Sequence, residues 1–363
     1  MPGHDDEQAD RSSSVVGSMG VPTFAATGGQ LIPEDDDDER AEMEFYSLQD
    51  ALGQGPAFIL KNVLDPSVCR DIIDTCEQRN RQRHQHEHQP SNGSSISSSI
   101  NSLFGLYNAG KNHHCAMQIV VSNDMIQPIA KRIEKYINLQ EVEELQRKMS
   151  RLVLGEQQHH GPTRTSFRRR LQYAGLNQRW RIYRYAPSGQ ERFAPHIDAG
   201  FPPSGLSQDG KELIWDMSSS SSSSTTTTTT ISHLTILFYL NDDFEGGETN
   251  FYQPLAQQRG EQTDPVIIAS VNPVTGSCLV FPQGVGEEVV EAARRLWPLH
   301  EGAPVLPLRR RQRQQQQLSS LSQEGTGIEN LYNPTEAETS SPKFVIRSDI
   351  LFTSVPETTS KKG

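Results

Sequence analysis

Cysteine is scarce, with four in 363 residues, and Cys69, Cys76, Cys115 and Cys278 fall at no zinc-knuckle spacing and form no dense framework. If Cys69 and Cys76 share a helix, their separation spans about 10.5 Å of axis, beyond the roughly 7 Å that a disulfide tolerates. Reduced thiols in a cytoplasmic or nuclear protein are therefore expected. No apolar run approaches the ~18 residues of a membrane span, the first residues lack the basic start and apolar core of a secretory signal, and no retention tetrapeptide closes the chain. Apolar residues make up only 34% and mean hydropathy is −0.61. Parts of the chain are thus not expected to pack, although its length suffices for one large core or two. Basic residues are outnumbered, 34 Lys and Arg against 45 Asp and Glu, for a net charge of −11. That balance argues against a general electrostatic grip on nucleic acid or an anionic membrane, and suits a basic protein partner better.

What is present divides unevenly along the chain. Residues 1–44 are polar and acidic, culminating in Asp35, Asp36, Asp37 and Asp38, and are expected to stay disordered because ordering them buries too little apolar surface; an acidic interaction tail is the functional alternative. From Pro56 the pattern changes. Ala57, Phe58, Ile59 and Leu60 predict a strand, and Asp65 followed by Pro66 predicts a helix start, with Val68, Ile72, Ile73 and Cys76 recurring at helical spacing. Residues 78–101 predict a low-complexity loop, in which His84, His86 and His88 alternate without a fold to position them, a site for adventitious metal at most. Ile126, Ile129, Ile133 and Ile137 predict one helix over residues 125–145. The basic clusters at 164–170 and 309–313 are each compatible with a solvated loop, a nuclear-import signal or a substrate contact. The unbroken Ser/Thr tract at 218–230 cannot fill a core and must loop out.

The most informative stretch runs from residue 178 to 252. Alternation over QRWRIYRY places Arg181, Tyr183 and Tyr185 on one face of a strand, with Trp180 and Ile182 on the other. Pro187, Ser188 and Gly189 then predict a turn. In His196-Ile197-Asp198 an extended backbone sends the imidazole and the carboxylate to one side, which is half of a chelate. A third ligand is available in His300, within WPLHEGAPV, after the strand-like GSCLVFP. Two histidines and one carboxylate on one face of a metal leave the opposite positions open, the arrangement of non-haem Fe(II) oxygenases. Residues 234–240 predict a further strand with Thr235, Leu237 and Tyr239 on one face. His233, just upstream, is assigned a structural role. Asn241, Asp242 and Asp243, before Gly246 and Gly247, predict a turn whose side chains bond their own backbone.

The order of His196-x-Asp198, the run LTILFYLND, Gly246-Gly247, GSCLVFP, His300-Glu301-Gly302 and KFVIRSDI resembles the prolyl 4-hydroxylase-like family of 2-oxoglutarate- and Fe(II)-dependent dioxygenases, over roughly residues 56–353 and most densely over 176–302. The resemblance implies a mainly β protein with flanking helices, a double-stranded β-helix or jelly roll. It implies a dioxygenase unit at 176–353, with inserts near 216–230 and 308–341, preceded by supporting elements at 45–175 and followed by a tail at 354–363. It implies Fe(II) on His196, Asp198 and His300, O2, 2-oxoglutarate as co-substrate and ascorbate as reductant. The implied reaction hydroxylates an unactivated C–H, that of a prolyl residue in a protein or peptide, with succinate and CO2 as co-products; relatives that halogenate have lost the carboxylate that Asp198 supplies. Tyr185, eleven residues before His196, matches the family's co-substrate tyrosine, with Tyr183 in reserve, and Tyr239 is a second candidate; packed aromatics are the alternative for each.

The family's basic residue for the far carboxylate stands about ten residues past the distal histidine. Here Lys343 lies 43 residues past His300, so the intervening segment is an insertion, expected as a lengthened hairpin between paired strands. Lys343, preceding the aromatic Phe344, fits the position better than Arg347, which faces the same way. Specificity is expected from the loops at 199–217 and 101–116, with Phe201 and Trp215 as candidate substrate contacts. Two other functions fit the pattern less well: oxidative demethylation of nucleic acid or protein, and a non-catalytic cupin-like binding module.

Overall fold

The computed structural model describes residues 43–52, 55–87, 105–109, 112–153, 169–206, 213–217, 228–253, 266–284, 299–306 and 341–356. In chain order the elements are β1 (Phe45–Ser47), α1 (Gln49–Leu52), β2 (Phe58–Leu60), α2 (Pro66–Glu87), β3 (Gly105–Ala109), β4 (Asn112–Val120), α3 (Asn123–Glu134), α4 (Leu139–Val153), β5 (Arg169–Leu176), β6 (Arg179–Tyr185), β7 (Phe193–His196), β8 (Gly205–Leu206), β9 (Leu213–Ile214), β10 (Thr229–Tyr239), β11 (Glu245–Gly246), β12 (Thr249–Tyr252), β13 (Ile267–Val271), β14 (Cys278–Pro282), β15 (His300–Gly302), β16 (Val305–Leu306) and β17 (Lys343–Pro356).

Two sheets carry the architecture. The larger runs β1-β2-β14-β10-β17-β6-β4-β3, with β5 pairing along the second half of β17, and the smaller runs β13-β12-β15-β7. From β6 onward the chain passes repeatedly between them, and every ladder in both sheets is antiparallel. The quartet β14-β10-β17-β6 faces β13-β12-β15-β7, which is the double-stranded β-helix, or jelly roll.

Alternation along the strands sorts the side chains between two cores. Outward from the large sheet, Trp180, Ile182, Leu234, Ile236, Phe238, Phe344 and Ile346 pack with Val68, Cys69, Ile72 and Cys76 of α2 and with Ile126, Ile129 and Ile133 of α3. Burying each such large side chain contributes about 1.5–3 kcal/mol. Inward, Tyr183, Tyr185, Tyr239, Leu279, Phe281 and Val345 meet Phe251 and Val271 of the small sheet. Helix α2 starts as its sequence dictates: the Asp65 carboxylate accepts from Ser67 N at 2.7 Å and Ser67 Oγ at 2.6 Å. Cys69, Cys76 and Cys278 are buried. Among the described residues no helix is long and apolar enough to cross a membrane.

Several expectations require correction. Helix α2 runs on to Glu87, into the stretch expected as a loop, because no glycine or proline interrupts it before Pro90. The helix expected over 125–145 is two helices. Residues Tyr136 and Ile137 tighten into turns on Ile133 O and Glu134 O, and Asn138 Oδ1 accepts from Gln140 N at 3.1 Å to start α4. Part of the loop expected at 101–116 forms the hairpin β3–β4 at the sheet edge. The strands flanking the 308–341 insert are not a hairpin: β16 pairs with β11, and β17 lies in the large sheet. The backbone partners of Asn241 and Asp242 lie outside their own turn, although Asn241 Nδ2 also donates to the Asp243 carboxylate within it at 2.7 Å. Asn241 accepts from Phe344 N at 2.8 Å, and Asp242 accepts from Thr275 N at 3.1 Å. Expectations for residues 1–42, the histidine repeat, 164–168, most of the Ser/Thr tract and the basic cluster at 309–313 lie outside the described residues or side chains.

Candidate metal centre

Between the sheets, β7 and β15 pair so that His196 and His300 are Cα partners. Their rings lie 4.2 Å apart between centroids. Asp198 follows β7 on a segment strapped to the end of β14, where Gly284 N donates to Asp198 O at 2.7 Å and Gly200 N to Gly284 O at 3.0 Å. The three residues predicted from distant segments thus converge, with one ligand atom from each within 4.8 Å of the others.

Their chemistry suits a cation. His196 Nδ1 lies 2.8 Å from Ala194 O; a carbonyl only accepts, so Nδ1 carries the proton and Nε2 presents a lone pair. The His300 ring is walled by Phe281 at 4.6 Å and Phe251 at 6.0 Å, and burial pushes its pKa down to about 3, which keeps it neutral and able to ligate. Asp198 is 2% exposed. Burial works to raise its pKa, but Arg347, His300 and His196 together hold it well below the usual carboxylate range. Its Oδ2 accepts from Thr235 Oγ1 at 2.7 Å. Its Oδ1 lies 3.3 Å from His196 Nε2 and 2.8 Å from Arg347 Nη1, yet accepts no aligned hydrogen bond from any described residue. The Arg347 contact is therefore an ion pair, and Oδ1 keeps a lone pair for a metal.

The cluster lies in a pocket of about 420 Å3, part of it open to solvent, that Tyr185, Lys343 and Arg347 also line. Lys343 is 2% exposed and forms no ion pair among the described residues. Its Nζ donates to Gly247 O at 2.6 Å and lies 5.4 Å and 5.6 Å from the ring centroids of Tyr185 and Tyr239. Burial pushes its pKa down to about 7, against a smaller upward pull from Glu248. One of three ammonium donors is used, so two are available to an anion. Tyr185 and Tyr239 are held protonated by burial. The Tyr239 hydroxyl shares a 2.8 Å hydrogen bond with Thr249, and Thr249 lines the pocket.

Phe201 and Trp215, the candidate substrate contacts, border a row of arginines. Phe201 lies 4.4 Å from the Arg181 guanidinium and 5.6 Å from that of Arg347, and Trp215 lies 4.1 Å from that of Arg179. Thr235, Thr249, Leu237, Gln283 and Asp349 also contribute to the site or its support without having been singled out from sequence. Their one available signal was alternation, which puts Gln283 on the inward face with Leu279 and Phe281.

No family model matches the sequence, and no curated protein matches it. Solved structures do. The viral collagen prolyl hydroxylase of Paramecium bursaria Chlorella virus-1, in its 2OG complex, aligns with 81% of this chain and 94% of its own at 13% identity and a TM-score of 0.31. A 2OG-Fe(II) oxygenase family oxidoreductase from Burkholderia pseudomallei aligns with 51% and 47% at 11% identity and 0.20. The non-haem alpha-ketoglutarate-dependent epimerase SnoN of nogalamycin biosynthesis aligns with 87% and 86% at 12% identity and 0.34. The chemistry of the site is read from the residues of this chain.

Proposed function

We propose that the protein is a 2-oxoglutarate- and Fe(II)-dependent dioxygenase that hydroxylates an unactivated C–H of a protein or peptide. The observation that carries this reading is one pocket lined both by the three-ligand cluster and by a buried ammonium, Lys343, that forms no ion pair among the described residues. A lysine in that position costs folding free energy unless an anion offsets it. A small dicarboxylate that reaches both the metal and Nζ satisfies the two ends together.

His196 and His300 would hold the metal through Nε2 and Asp198 through a carboxylate oxygen, leaving positions for co-substrate and oxygen. When bound, Fe(II) supplies the redox chemistry that couples oxidative decarboxylation of 2-oxoglutarate to C–H hydroxylation, giving succinate and CO2. The remaining work falls to the chain. Lys343 Nζ, steered by Gly247 O, binds the far carboxylate, and the protonated Tyr185 hydroxyl donates to it. Leu237 and Val345 exclude water from the wall between. Arg347 engages Asp198 instead, so Lys343 is the preferred clamp. A prolyl target rests on the resemblance in sequence pattern, and ascorbate is the expected reductant that keeps the iron ferrous.

The test is anaerobic addition of Fe(II) and 2-oxoglutarate. A weak visible metal-to-ligand absorbance and oxygen-dependent succinate release are expected, and both vanish in His196→Ala. Absence of both signals from folded protein overturns the reading. A mass gain of one oxygen on proteins trapped by an inactive variant identifies the hydroxylated residue.

A further inference from the structure

We propose that Gln283 is a positioning residue for the Asp198 carboxylate, acting through Thr235; the proposal rests on the metal-centre reading above. Gln283 follows β14, is 1% exposed, and uses both ends of its amide. Its Oε1 accepts from Ser232 Oγ at 2.7 Å, and its Nε2 donates to Thr235 Oγ1 at 3.0 Å and to Asp349 Oδ1 at 2.6 Å.

The direction of the bonds in this chain follows from the carboxylate at its end. An ionised carboxylate only accepts, so Thr235 sends its proton to Asp198 Oδ2, 2.7 Å away. The Gln283 atom that faces Thr235 Oγ1 must then be the NH2 that donates to it, which leaves the amide oxygen to accept from Ser232 Oγ. Ser232 Oγ in turn accepts from Phe201 N at 2.7 Å. Without Gln283 the Thr235 hydroxyl is free to rotate; with it, Oδ2 receives a hydrogen bond and Oδ1 is left as the oxygen without one. The relay also closes on itself, because Phe201 lies three residues after Asp198 and Ser232 N donates back to Phe201 O at 2.9 Å.

A β-bulge makes the ring possible. The register of β10 on β17 slips between Ser232 and Leu234, so His233 is an extra residue. Three positions apart on a regular strand, Ser232 and Thr235 point to opposite faces; the bulge brings both inward onto Gln283. Burial pushes the His233 pKa down to about 4, and its ring lies against Phe352 at 5.6 Å, so the bulge residue is itself packed as a neutral side chain.

The probe is Co(II) alone, titrated into the full chain and read by its d–d absorption, beside thermal melting of each metal-free variant. Gln283→Met and Thr235→Val are each expected to weaken Co(II) binding by about 10- to 100-fold, the usual effect of removing a partner that orients a ligand, and to change the band shape. Thr235→Ser, which keeps the hydroxyl, is expected to bind within about threefold of wild type. A folded Gln283→Met protein with unaltered affinity and spectrum overturns the proposal. If Gln283→Met does not fold, the threonine pair decides: Val equal to Ser overturns it, and Val weaker than Ser supports it. Failure of the wild type itself to bind Co(II) overturns the metal-centre reading, a different result from tight wild-type binding that the variants leave unchanged.

Discussion

Arg347 Nη1 stands 2.8 Å from Asp198 Oδ1, and both side chains are almost fully buried. Asp349 and Arg181 are buried nearby and interact with the same groups, so two arginines and two aspartates share the space behind the cluster. Removing one charge from such a set leaves another uncompensated, at a cost of about 3–5 kcal/mol. Arg347→Met is therefore expected to lower the melting temperature of the metal-free protein sharply. A divalent cation restores positive charge beside Asp198, so Co(II) is expected to raise the melting temperature of Arg347→Met by more than it raises that of wild type. Differential scanning calorimetry with and without Co(II) checks both. Equal increments for the two proteins would mean that Arg347 and the metal do not share the carboxylate.

Lys343 sets a pH dependence for co-substrate binding. Its pKa is pushed down to about 7 by burial, and an anion beside it favours the charged form. Below pH 7 the ammonium is already present. Above it, binding must take up a proton, so the apparent Kd for 2-oxoglutarate is expected to rise toward tenfold per pH unit between about pH 7.5 and 9. Titration calorimetry at several pH values measures it, and Lys343→Arg, charged throughout, is expected to flatten the profile.

Gly247 ties backbone geometry to the same residue. Its φ is +70°, and an added Cβ would lie 2.9 Å from the Phe244 ring and 3.2 Å from Lys343 Cδ. Gly247→Ala is strained in backbone and crowds the lysine whose ammonium its own carbonyl steers. The KM for 2-oxoglutarate is expected to rise about tenfold, the scale of one charge-assisted hydrogen bond, with Co(II) affinity unchanged. A parallel loss of metal affinity would show that the substitution disturbs the whole pocket.

Two buried neutral histidines make the metal-free fold acid-sensitive. Folding lowers the pKa of His233 to about 4 and of His300 to about 3, from an ordinary value of 6.5. Below pH 6.5 the unfolded chain binds protons that the folded chain refuses, so stability falls as pH drops from about 6.5 to 4. Each histidine contributes a slope of about 1.4 kcal/mol per pH unit over that range. Urea unfolding of metal-free protein at pH 7, 6, 5 and 4.5 is expected to show the fall, and His233→Leu is expected to lose one proton's share of the slope. An unchanged slope would place the sensitivity elsewhere.

The local patterns that a strand or helix imposes were legible. Alternation separated Trp180 and Ile182 from Tyr183 and Tyr185, and the outer and inner cores divide there. Asp65 and Pro66 start a helix because capping depends on neighbours in the chain. Where an element ends was harder to read, as α2 and the break before α4 show, because end points balance weak propensities against packing. The inserted segment before Lys343 was legible from composition, whereas its role as a link between sheets was not.

Sequence alone determined the chemistry on offer: an imidazole and a carboxylate two residues apart at His196 and Asp198, a distant histidine, and a late lysine on an apolar strand. The strand period of two is a covalent property of the extended backbone, so those facings needed no fold. Only the tertiary structure decided that His300 sits opposite His196, that Lys343 and Arg347 take different partners, and that Thr235, itself bonded by Gln283, donates to the Asp198 carboxylate. Each of these depends on strand register or on a bulge, and register is set by which faces bury together across the whole domain.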